Sequence, residues 1–134
     1  IMPFPSDQIR RSYILAIENL ENGDAARASK ILLNIQESKP QWLDAYLALS
    51  RCYFVLGREA EALKVLDQCI SRYPLAAESY IYKADFYLSL SEFDKAKAQL
   101  KVALQLEADD SRANFLRAQT ELLLNEKDEA IYFL

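Results

Sequence analysis

The sequence predicts an all-α chain built from antiparallel helix pairs that recur every 34 residues, an α-solenoid. Sliding the chain by 34 aligns Ala28, Ala62, Ala96 and Ala130, and then Leu32, Leu66, Leu100 and Leu134. The turn formers Gly23, Gly57, Ser91 and Asn125 share one register, and Pro40 falls on Pro74. Between these punctuation points apolar residues recur at spacings of three and four, the period of a helix with one buried stripe. A small residue, a leucine and a turn former kept in phase through four units mark an array whose members stack on one another.

Met2-Pro3-Phe4-Pro5 opens the chain and is not helical, because each proline pushes the residue before it out of the α region. Ser6 then offers an N-cap. The first helix is expected over about 7 to 21, with Ile9, Tyr13, Ile14, Ala16, Ile17 and Leu20 as its apolar set. Asn22-Gly23 ends it, glycine taking a left-handed backbone at no steric cost. Asp24 opens the second helix, to about residue 37, with Ala28, Ile31, Leu32 and Ile35 inward and Lys39-Pro40 at the exit. The second unit repeats this order over about 41 to 56 and 59 to 72, with Tyr46, Leu49 and Tyr53, then Gly57, then Ala62, Leu66 and Cys69, then Pro74. In the third, helices near 75 to 90 and 92 to 106 carry Tyr80, Ala84 and Tyr87, then Ala96, Leu100 and Ala103, and Glu107-Ala108-Asp109 replaces the proline. A seventh helix is expected from about 110 to 124, followed by a turn at Asn125 and a new helix opening on Glu126-Lys127-Asp128-Glu129, acidic residues suited to the positive end of a helix dipole. Connections this short make consecutive helices antiparallel.

Half of the 134 residues are hydrophobic, enough for a continuous core. A net charge of −4 argues against a nucleic-acid binder, which needs a basic face to displace counterions. No apolar run is long enough to span a bilayer and no stretch resembles a signal peptide, so membrane insertion is not expected and a cytoplasmic location is. Cys52 and Cys69, the only two cysteines, read as buried free thiols. Ile1 before Met2, and a chain that stops within a helical pattern, lead us to expect a piece of a longer protein.

Tyr46, Leu49-Ser50, Tyr53, Gly57, Ala62, Leu66, Cys69 and Pro74 together resemble the tetratricopeptide repeat, and the resemblance extends over about residues 7 to 134. It implies a right-handed superhelix forming a single domain, with units at about 7–40, 41–74, 75–108 and 109–134, three complete and a fourth truncated. The first unit departs from the pattern with Ser12 and Asn19 at its two aromatic positions, and the fourth with Asn114 and Glu121. The resemblance further implies that the first helix of each unit lines a concave groove that binds a peptide or helix of a partner. Carried residue by residue, the groove would be lined by Tyr13, Leu47, Ile81 and Phe115, then Ile17, Arg51, Asp85 and Gln119, then Leu20, Phe54, Leu88 and Leu122, with Tyr82 at its edge. Two apolar rows beside a mixed one suit a partner segment that is apolar with a few polar anchors. Family members that clamp the acidic tail of chaperones use lysines, an arginine and asparagines, whereas the matching positions here are Tyr13, Ile17, Ala48, Glu78 and Tyr82, so tails of that kind are not expected partners.

Nothing in the sequence points to catalysis. There is no histidine, hence no Ser-His, Cys-His or histidine-metal arrangement, and no glycine-rich phosphate loop. Glu107, Asp109 and Asp110 form the densest acidic cluster, and they read as a solvated turn and an N-cap rather than a metal site. The expectation is a non-enzymatic scaffold or adaptor without cofactor or metal. Two alternatives are the recruiting arm of a larger enzyme whose catalytic domain lies elsewhere, and self-association through the apolar run Ile131, Tyr132, Phe133 and Leu134.

Overall fold

A computed structural model describes residues 6–132 of the chain. The expected non-helical start at Met2 to Pro5 lies outside them, as do Phe133 and Leu134 and the side chains of Ala130, Ile131 and Tyr132. Among the described residues the chain is all-helical: α1 Asp7–Glu21, α2 Ala25–Ser38, α3 Leu43–Val55, α4 Glu59–Arg72, α5 Ala77–Ser89, α6 Phe93–Leu106 and α7 Ser111–Tyr132. These elements form two compact units, one reaching to Tyr73 and the other starting at Pro74. In the first, α1 packs on α2, α2 on α3 and α3 on α4, and α1 also touches α3. In the second, α6 packs on both α5 and α7, and α5 touches α7.

The register is written into the backbone. At three helix ends spaced by 34 residues the same pair of hydrogen bonds closes the last turn. Gly23 N–H donates to Leu20 and Asp24 N–H to Asn19, Gly57 to Phe54 and Arg58 to Tyr53, and Ser91 to Leu88 and Glu92 to Tyr87. This is a Schellman cap, which needs a left-handed residue just past the helix. Glycine supplies it twice, at φ 88° and 77°, and Ser91 adopts φ 58° in the third copy. The second helices also end alike: Lys39, Tyr73 and Glu107 leave the helical region at φ −138°, −130° and −140° with ψ 73°, 69° and 88°. A following proline disfavours the helical region for Lys39 and Tyr73. Glu107 leaves it before Ala108, so the proline is not required.

Helix starts follow local chemistry. Ser6 Oγ accepts from Ile9 N–H at 3.4 Å, and Asp24 Oδ1 accepts from Arg27 N–H at 3.0 Å. Asp110 Oδ1 accepts from Ala113 N–H at 2.8 Å, which makes the densest acidic stretch a cap of α7.

Asn125 corrects the sequence reading. No turn forms there, and α7 runs on to Tyr132 as one helix of 22 residues. Asparagine tolerates the left-handed backbone but does not demand it. It is flanked by Leu122 to Leu124 and by Glu126 to Glu129, leucine, glutamate and lysine being good helix formers.

The register alanines and leucines make the core. In the first unit Ala28, Leu32, Ala62 and Leu66 are fully buried, and in the second Ala96 and Leu100. Alanine at the crossing lets two backbones approach, and leucine fills the layer beside it. Cys52 and Cys69 are buried free thiols. Burial pushes the Cys52 thiol up to about 11, which keeps it protonated and poorly nucleophilic at neutral pH. The Tyr73 hydroxyl donates to the Gln41 carbonyl, tying the exit of α4 to the α2–α3 connection, and Tyr80 donates to the Pro74 carbonyl at 3.1 Å.

One core position is chemically mismatched. Ser79 is fully buried and its Oγ has no hydrogen-bond partner, while the register equivalents Ala45 and Ala113 are fully buried alanines. An unpaired buried hydroxyl costs about 1–3 kcal/mol. Ser79→Ala is therefore expected to raise stability by about 1 kcal/mol, read as a higher urea midpoint at unchanged slope. A midpoint that stays put or falls would show the hydroxyl to be satisfied.

Candidate functional site

The residues expected to line a groove fall into two sets, one in each unit. In the first unit α1 and α3 lie side by side. Tyr13, Ile17 and Phe54 are half-buried there, Arg51 is exposed, and Leu20, expected on the groove, is buried at 8% exposure. Leu47 is not available to a ligand: it is 6% exposed, within an unbroken buried run from Ala45 to Ser50. Tyr13 stacks at a tilt on Trp42, with ring centroids 4.8 Å apart. Trp42 escaped the sequence reading because it precedes α3 and belongs to no helical stripe. Its signal was that it is the single tryptophan.

In the second unit α5 and α7 are in direct contact. Ile81 sits on α5 and, like Leu47, is core rather than groove wall. It is 3% exposed and clusters with Ala113 and Leu116 of α7. In this unit α7 covers the position, which periodicity alone does not reveal. Tyr82 is half-buried, edge-on to Phe86 at 6.4 Å. Leu88 is half-buried against the same cluster.

The open part of this face belongs to α7. Phe115 is 67% exposed and Leu122 60%, with exposed Gln119 between them. The spacing i, i+4, i+7 aligns the three along one side of the helix. Asp85 on α5 accepts from Arg112 Nη2 at 2.8 Å, an exposed ion pair that joins α5 to α7 beside the stripe. Such a pair contributes about 0–1 kcal/mol to stability, so its weight lies in fixing both side chains. Asp85, read from the sequence as part of the polar row of the groove, already has a partner in Arg112.

Around the described surface no group of three or more histidine, cysteine, aspartate or glutamate residues is arranged to hold a metal. No described helix is long and apolar enough to cross a membrane. Elsewhere, Arg58 pairs with Glu61 through two hydrogen bonds at 2.7 and 2.6 Å, and the Glu61 bond raises the guanidinium further above its ordinary value.

Family models described as tetratricopeptide repeat match residues 19–81 and 83–134. Among solved structures, the first tetratricopeptide domain of human RPAP3 is similar, with a TM-score of 0.78 at 15% identity over 90% of this chain and 95% of that one. The Yersinia enterocolitica type III secretion chaperone SycD, in complex with a peptide of the translocator YopD, gives a TM-score of 0.75 at 19% identity over 91% and 93%. The first such domain of Spaghetti (RPAP3), bound to the HSP90 peptide SRMEEVD, gives 0.75 at 15% identity over 90% and 96%. At these identities the likeness is one of fold.

Proposed function

This chain belongs to the tetratricopeptide repeat family, and we propose that it is a protein-interaction module that holds an apolar segment of a partner on the α5–α7 face. The observation that carries the proposal is the exposed stripe Phe115, Gln119 and Leu122. Two large apolar side chains two turns apart on one face of α7, with a polar residue between them, suit the apolar face of an amphipathic partner helix. The Asp85–Arg112 pair offers both signs of charge at the rim, where polar groups set orientation more than affinity. In the first unit Ile17 and Phe54 offer smaller apolar areas, with Arg51 as an exposed cation. Similar folds that hold a translocator peptide and an HSP90 peptide support the reading.

The second of those complexes also bears on chaperone tails. Since a domain of this fold holds an HSP90 peptide, the fold gives no ground for excluding such tails. The exclusion rests only on the side chains at Tyr13, Ile17, Ala48, Glu78 and Tyr82, of which Ala48 is buried and Glu78 exposed.

Helical peptides selected on the wild-type chain from a displayed library test the proposal. The double variant Phe115→Ser, Leu122→Ser should bind them at least about tenfold more weakly, since buried aromatic and aliphatic anchors dominate such contacts. Both residues are exposed, so far-UV circular dichroism should not change. Equal affinity for the variant would remove the α5–α7 face from consideration.

A further inference from the structure

The other side of α7 faces α6, and there the two units differ. In the first unit α4 packs on α3, and its Gln68, Ser71 and Arg72 stand across a cleft from Leu33, Gln36 and Glu37 of α2. In that unit Ser29 and Leu49 are 7% and 1% exposed, and Leu33 is 39% exposed. Two repeats further on, Ser29 becomes Lys97, Leu33 becomes Lys101 and Leu49 becomes Arg117, and all three cations are exposed. Because α7 continues where the first unit turns into α4, no described helix lies against this face.

What is left is a cleft of about 290 Å³ lined by Lys97, Lys101, Leu104, Gln105, Arg117 and Glu121. Three cations face one carboxylate, in a chain whose net charge is −4. None of the three cations makes an ion pair among the described residues. Half-buried Leu104 supplies an apolar patch on the wall. Ser29 and Leu49, buried in the first unit, and Leu33, 39% exposed there, have thus been exchanged for cations in the second.

We propose that the α6–α7 cleft is a second docking surface, and that its occupant is an amphipathic helix of a partner protein lying where α4 lies in the first unit. The edge of that helix facing α6 is acidic, and an apolar side chain meets Leu104. An α4-like helix with its own Arg72 would bring a cation towards Lys101 and Gln105. Carboxylates at the places of Gln68 and Arg72 complement the cleft instead, and charge of this kind selects partners and speeds encounter. Phe115 and Leu122 project from the opposite side of α7, so both surfaces can be occupied together.

The probe is a fluorescein-labelled peptide with the α4 sequence, residues 59–72, carrying Gln68→Glu and Arg72→Glu. It is compared with a twin that keeps Arg72 and carries Gln68→Lys, because isolated helices of this length are marginal and only the pair is informative. Titrated with the whole chain and followed by anisotropy, the acidic peptide should bind about tenfold tighter than its twin and weaken as salt is raised. Lys97→Glu with Lys101→Glu should reverse the order, with circular dichroism unchanged because both lysines are exposed. Equal affinity for the two peptides, or no binding of either, overturns the proposal. So does failure of the acidic peptide together with slow amide exchange from Lys97 to Gln105, which would show that the chain's own segment after Asn125 fills the cleft.

Discussion

Leu100→Ala is expected to destabilise the unit that starts at Pro74 by about 3–5 kcal/mol, the upper part of the range for a buried leucine. The surroundings set this magnitude. Leu100 is fully buried in a cluster with Ala77, Ile81, Ala84, Ala96, Ala103, Ala113 and Leu116. Most of those neighbours are alanines, whose methyl groups cannot swing into the space left behind, so the cavity persists. Leu104→Ala, at a half-buried position beside the same cluster, should lose clearly less. Urea unfolding followed by far-UV circular dichroism measures both. A loss at Leu100 no larger than at Leu104 would mean that α5, α6 and α7 close over the gap.

Ala62→Leu tests the opposite error, overfilling. Ala62 is fully buried where α4 meets α3, and the larger side chain should force the helices apart at a cost of about 1–3 kcal/mol. The matched control is Ala60→Leu, two residues away on the same helix but exposed, expected within about 0.5 kcal/mol of wild type. Similar midpoints for the two variants would refute the close-crossing role of the register alanine.

The parts of the fold legible in the sequence are those that a single helix end or a single helix face specifies. Gly23 and Gly57 announce the left-handed cap, and the alanine and leucine registers announce the inward faces. Six of the seven helices begin and end within about two residues of expectation, the ordinary ambiguity of helix termini. Asn125 failed as a signal because its left-handed backbone is optional. Leu47 and Ile81 were misplaced for a different reason: a stripe says which residues share a face, and burial depends on what a neighbouring helix covers. Arg112 with Asp85, and Lys97 with Arg117, become neighbours only through packing, so no local spacing announces either group.

Trp42 has a practical consequence. As the single tryptophan, in ring contact with Tyr13, it is an optical label native to the unit that ends at Tyr73. Its emission and its energy transfer from Tyr13 follow the docking of α1 beside α3, whereas ellipticity sums over every helix. Selective excitation of Trp42 therefore watches one half of the molecule melt without any dye or added fluorophore.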